Sequence, residues 1–244
     1  MAHSSRHKPR RHRMHTPRRP GGAWANGPIP VIGLVGGIGA GKSLAAAALA
    51  ERGVRVLDAD AVGHALLAQR PARERVVARF GLGVLRADEE GVEGSEPEVD
   101  RAVLGRIVFA DPVARRDLEA ILHPAMRKTF ERAIARAARA GLPGVVLDAA
   151  ILYEAGWDRL CDAVLFIDAP RDARLARLAA ARGWSAEHLD AREAAQAPLD
   201  SKRERADCVV ENADSPEALR EAVLAWWSSF VPARPSRGRA PRPG

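Results

Sequence analysis

Cysteine is scarce in this 244-residue chain: Cys161 and Cys208 stand far apart, with neither a CxxC pair nor metal-ligand spacing. That excludes a disulfide-stapled scaffold and a cysteine-based zinc site, and leaves both residues as small core hydrophobes. No apolar run approaches the roughly 18 residues that mark a membrane-spanning helix. The Arg- and His-rich start also lacks the apolar segment of a secretory signal, so a soluble, cytoplasmic protein without a membrane partner is expected.

Acidic residues are missing from both ends. Residues 1–30 carry seven Lys or Arg and residues 231–244 carry four, with no Asp or Glu in either. Setting those eleven aside from the formal charge of +7 leaves about −4 for residues 31–230. The isoelectric point of 10.3 therefore belongs to the tails and not to the body. Rich in Pro, Arg and Gly, the tails are expected to be disordered. A solvated tail, or a start codon assigned upstream of the true one, accounts for the basic excess without a specific nucleic-acid partner.

What is present begins with GGIGAGKS, Gly36 to Ser43, which fits G-x-x-x-x-G-K-[ST]. In such a loop glycines let backbone amides turn inward around phosphate oxygens, the lysine (Lys42) reaches the β- and γ-phosphates, and the hydroxyl (Ser43) ligates Mg²⁺. The apolar run Val31 to Val35 reads as a buried strand before it. The Ala-rich Leu44 to Glu51 reads as a helix whose positive end faces the anion. The nucleotide contacts expected are Gly37, Ile38, Gly39, Ala40, Gly41, Lys42, Ser43 and Leu44. Leu44 is tolerable there, because that position offers a phosphate mainly its backbone N–H.

Strand and helix patterns then alternate. Val54 to Leu57, Gly144 to Leu147, Ala163 to Ile167 and Cys208 to Val210 read as further strands, which predicts an α/β fold with a doubly wound parallel sheet. Asp111-Pro112 and Ser215-Pro216 place a capping side chain before proline at a first helical position. Residues 61–140 are too long for one crossover and almost wholly helical in pattern, apart from an acidic, Gly-containing stretch at 86–100. They read as an inserted helical subdomain.

Asp58 and Asp60, in VLDADAVGHAL, lie just past the second strand, at the sheet edge where the phosphate loop also lies. Asp58 reads equally as a helix cap and as a functional group. Asp60 is the stronger candidate for the carboxylate that a kinase needs within reach of an acceptor hydroxyl.

Taken together, GGIGAGKS, VLDADAVGHAL, LGRIVFADP, ILHPAMR, VVLDAAILYEAGW and AAQAPLDSKRERADCVVEN resemble the dephospho-coenzyme A kinase family, in order, over residues 31 to about 225. The resemblance implies a P-loop kinase core, a helical acceptor-binding subdomain and a mobile helical lid at 171–205. It implies transfer of the γ-phosphate of ATP, with Mg²⁺, to the ribose 3′-hydroxyl of dephospho-coenzyme A, a small-molecule partner. By position, Asp60 matches the family's catalytic aspartate and Gly39 to Leu44 its ATP-binding segment. Asp58 and His123 fall on the acceptor side; His123 reads equally as a histidine packed at a helix start before Pro124. Asp148 is either a second Mg²⁺-side group beside Ser43 or a plain strand-end carboxylate. Two positions depart from the family pattern: Ala150 stands where D-x-P-L-L-[FY]-E has proline, and Leu44 replaces the usual threonine.

Arg171, Arg174, Arg177 and Arg182 lie along a helix after Pro170, with Arg174 and Arg177 on one face. Such a run is commonly a solvated face, but a phosphate loop needs cations on the transferring group, and lid arginines are the usual device. Arg174 and Arg177 are therefore candidates for catalysis, and Lys202 and Arg203 candidates for the same end. The chain has neither an Asn-Lys-x-Asp guanine motif nor an LSGGQ-like signature, which excludes a GTPase switch and an ABC-type ATPase. A nucleoside monophosphate or other small-molecule kinase is the remaining enzymatic alternative, and a nucleic-acid-binding protein using its basic tails the non-enzymatic one. Oligomeric state is left open by the sequence.

Overall fold

The computed structural model describes Trp24, residues 27–86 and residues 97–231. The rest of the expected tails, and residues 87–96 of the acidic stretch, lie outside the described residues. Among the described residues five strands form one sheet: β1 (Val31–Gly36), β2 (Arg55–Asp58), β3 (Val145–Asp148), β4 (Ala163–Asp168) and β5 (Cys208–Glu211). All pairings are parallel, in the order β2-β3-β1-β4-β5. The five predicted strands match these to within a residue.

β1 is buried along its whole length because both of its faces are covered. Val31 and Val35 point to one side, into a cluster that includes Phe130, Leu147 and Trp157. Ile32 and Leu34, one residue out of phase, point to the other, against Leu49, Val223 and Trp227. The second cluster is built by α1 (Lys42–Ala50) and α9 (Pro216–Phe230), which pack on one another. The packed body begins before β1: Ile29 is 1% exposed and the Trp24 ring lies 5.3 Å from that of Phe230.

The first cluster is covered by the insertion between β2 and β3. It comprises α2 (Ala59–Leu67), α3 (Arg70–Phe80), α4 (Arg101–Ala110) and α5 (Pro112–Arg139). Capping side chains set the starts: Asp58 accepts from the Ala61 amide, Asp100 from those of Ala102 and Val103, and Asp111 from that of Val113. The expected helix start at His123-Pro124 is corrected here, since α5 runs through Pro124 for 28 residues. Proline removes one N–H from the ladder, but Ile121, Leu122 and Met126 on either side of it are buried, and that packing carries the helix through. Between β4 and β5 the chain forms α6 (Arg171–Arg182), α7 (Ala186–Glu193) and α8 (Leu199–Arg205).

Phe130 is fully buried and meets Trp157 edge-on at 5.0 Å, joining α5 to the loop after β3. Phe130→Ala is expected to lower the unfolding free energy by about 3–5 kcal/mol in denaturant titration. Phe109→Ala, at a side chain 61% exposed, should change it by less than about 1 kcal/mol.

Candidate active site

The carboxyl ends of β1, β2 and β3 meet at one edge of the sheet. Asp148, the last residue of β3, is in register with Asp58 at the end of β2 and with Leu34 in β1. The loop from Gly36 to Gly41 leaves β1 at this edge and enters α1 with Gly41 as its cap, in a left-handed conformation (φ 102°). A side chain at Gly41 would be strained by that φ, and its Cβ would also lie 2.4 Å from the Asn212 amide nitrogen.

Turning the loop amides inward sends its carbonyls outward, and each of them finds a donor. The Lys42 ammonium donates to Gly36 O (3.0 Å) and Gly37 O (3.1 Å). Arg174 Nη1 donates to Ile38 O (3.2 Å), Arg177 Nη1 to Gly39 O (3.4 Å), and Asn212 Nδ2 to Ala40 O (2.8 Å). Arg174 is 5% exposed, so it is not part of a solvated face; its remaining donors serve Ala169 O and the Glu193 carboxylate. Arg177 also reaches Asn212 O and Oδ1. Arg171, by contrast, pairs with Asp190 at the surface.

Lys42, Asp148 and Asp60 act on one another electrostatically. Burial holds the Lys42 ammonium below the usual lysine range, with Lys202 and Arg174 adding to the effect and Asp148 and Asp60 opposing it. Burial pushes the Asp148 carboxyl up to about 6; Lys42 opposes this, and Asp58 and Asp60 add to it. Ser43 is exposed in the first turn of α1, next to Lys42.

Asp60, in the first turn of α2, borders an open cavity of about 260 Å³ lined mainly by α2, α4 and α5. Leu67, Leu104, Leu122 and Met126 make its wall apolar, while His64, Arg101 and His123 bring polar groups to it. The structure thus places Asp60 and His123 in one cavity. His123 stands 5.0 Å edge-on from Trp157, and burial lowers its pKa. Asp58 is outside that lining and caps α2. A smaller cavity of about 180 Å³ adjoins, sharing His64, Leu67 and Arg101 and adding Arg86 and Glu98.

Lys202, a sequence candidate for the phosphate side, is instead 1% exposed and paired with Glu154 at 2.8 Å; Glu154, the loop anchor Asn212 and Arg101 were not assigned as site residues from sequence. For Asn212 a signal existed in the Asn that closes the strand-like CVVEN. For Arg101 the signal was the capped helix start Asp100-Arg101. Arg203 pairs with Asp168, the last residue of β4, at 2.8 Å.

A parallel sheet in this order, with a glycine loop closing on a lysine at its central strand and a helical arm on either side, defines a P-loop kinase. Residues 30–217 match the family model described as dephospho-CoA kinase. The chain is 47% identical over 198 residues to a dephospho-CoA kinase of Symbiobacterium thermophilum, covering 81% of this chain and 80% of that protein. It is 48% identical over 190 residues to that of Anaeromyxobacter dehalogenans, covering 78% and 86%. A crystal structure of a Thermus thermophilus protein superposes with a TM-score of 0.66 at 35% identity, over 83% of this chain and 98% of that one. The chain belongs to the dephospho-CoA kinase family, and it is an enzyme of the kinase class.

The Asp148 carboxyl titrates near 6 in the folded protein against 3.8 ordinarily, so folding favours its protonated form. Its contribution to stability is whole below about pH 4 and is lost as pH rises through about 6. Asp148→Asn should therefore melt higher than the parent at pH 8, without ligand, with the gap shrinking towards pH 5. Thermal unfolding at the two pH values measures this, and an equal or inverted gap would contradict it.

Proposed function

We propose that the protein transfers the γ-phosphoryl group of ATP to the ribose 3′-hydroxyl of dephospho-coenzyme A, with Mg²⁺ as the accompanying cation. The observation that carries this reading is the position of Asp60. It borders the cavity between α2, α4 and α5 and at the same time acts on Lys42 at the end of the phosphate loop and on Asp148 at the end of β3. An acceptor hydroxyl beside Asp60 is thereby next to the γ-phosphate.

Amides of the loop and the positive end of α1 bind the triphosphate, and Lys42, with two of its three hydrogens on the Gly36 and Gly37 carbonyls, offers the third to the β- and γ-oxygens. The Ser43 hydroxyl and the Asp148 carboxylate are hard oxygen donors suited to Mg²⁺, and a cation would relieve the strained ionisation of Asp148. When bound, the cation neutralises charge developing on the phosphates. Asp60 orients the 3′-hydroxyl and takes its proton late in the transfer. Arg174 and Arg177 position the loop amides through Ile38 and Gly39, and their charge adds to the field at the transferring group.

The apolar wall of the large cavity suits the organic body of the acceptor. Arg101 and His64, which border both cavities, suit its diphosphate, and His123 sits deeper on α5. The compartment is the cytoplasm, and the reaction needs neither nucleic acid nor membrane.

Asp60→Asn keeps the size of the side chain and removes its charge. ATP affinity, measured by calorimetry, should stay within about threefold. The kcat with dephospho-coenzyme A should fall at least about 10²-fold, equivalent to about 2.7 kcal/mol at the transition state. Run beside it, the parent protein should phosphorylate dephospho-coenzyme A in preference to nucleoside monophosphates. Near-parental turnover by the variant would remove Asp60 from its role, and preference for a nucleoside monophosphate would overturn the acceptor assignment.

A further inference from the structure

Lys202, near the middle of α8, is among the most deeply buried side chains of the described protein, at 1% exposed. An ammonium has three hydrogens, and here three acceptors receive them. They are Ala150 O at 2.6 Å, Glu154 Oε1 at 2.8 Å and Gln196 Oε1 at 3.2 Å. Glu154 Oε1 also accepts from the Ala197 amide at 2.8 Å. With its donors satisfied and its head enclosed, Lys202 is not poised to take a phosphate. It is instead the junction of two segments.

The first segment, 149–154, is the turn that follows Asp148. The second, 194–198, is the connection from α7 to α8. Each contributes a group to the ammonium, and the Ala197 amide closes the ring through Glu154. Ala150 occupies the position where proline is usual in the family's pattern, so the conformation of this turn is not fixed by a proline ring. The carbonyl of that residue is held by Lys202 instead.

We propose that Lys202 is a positioning residue that ties the α7–α8 connection to the turn after Asp148, so that movement of α7 and the placement of the Asp148 turn are one event. The proposal rests on the kinase reading for its turnover measurement, but the junction itself is read without an acceptor. Retaining an ion pair with one member fully buried is unfavourable unless geometry matters, since apolar replacements of similar size are often tolerated or stabilising.

The variants are Lys202→Met and Lys202→Met/Glu154→Gln. The second keeps an acceptor for the Ala197 amide while removing both charges. Hydrogen–deuterium exchange, with and without a non-hydrolysable ATP analogue, reads the two segments, while calorimetry and steady-state kinetics read ATP affinity and turnover. In both variants exchange should rise at least about tenfold in 149–154 and 194–198 together, and the analogue should no longer slow it in the second segment. Melting temperature in the double variant should stay near the parent's, the ATP dissociation constant within about threefold, and kcat at least tenfold lower. Exchange rising in one segment alone, or parental kcat in the double variant, would overturn the proposal. So would loss of ATP affinity parallel to the loss of kcat, which would make Lys202 a phosphate-side group. If the parent itself failed to use dephospho-coenzyme A, the acceptor reading would fall, and the exchange data would still decide the junction.

Discussion

A loop that offers its amides to a phosphate has to do something with its carbonyls, and the rest of this structure is arranged around that requirement. Five consecutive carbonyls, from Gly36 to Ala40, need donors, and an unpaired buried carbonyl costs about 1–3 kcal/mol. Lys42, Arg174, Arg177 and Asn212 cover them. The lysine opens α1, the arginines belong to α6 and the asparagine follows β5. The loop is thus held by elements that come from well-separated parts of the chain.

The same arrangement concentrates charge. Lys42, Arg174 and Lys202 bring positive groups into a partly buried space, and their mutual repulsion with burial lowers the Lys42 pKa. Asp148, Asp58 and Asp60 crowd negative groups beside them, and burial with that crowding lifts Asp148 to about 6. Neither ionisation is comfortable in the free protein. On the proposed function, a triphosphate beside Lys42 and a divalent cation beside Asp148 would favour both charged forms.

Much of the scaffold was legible in the sequence because its signals are local. Apolar runs gave all five strands, and Asp111-Pro112 and Ser215-Pro216 gave two helix starts whose caps are seen in place. Gly36 to Ser43 marked the loop for the same reason. The partners were not legible. Arg174 meets Ile38 across 136 positions and Asn212 meets Ala40 across 172, distances over which no periodicity carries information. Arg174 and Arg177 were therefore read as candidates for the transferring phosphate with no sign of the loop carbonyls they hold, and Lys202 as a further cation for the same end. Pro124 misled in the opposite direction, since proline is a strong local signal for a helix end and the packing of Ile121, Leu122 and Met126 overrides it.

The central claim is that the outward carbonyls must be held for the inward amides to bind a triphosphate. Asn212→Ala tests it directly, because Asn212 covers Ala40 O from the far side of the sheet edge. Calorimetric titration with ATP and Mg²⁺ should show affinity at least about tenfold weaker than the parent's, equivalent to about 1.4 kcal/mol, in a protein whose circular dichroism is unchanged. Unaltered affinity in that folded variant would contradict the account.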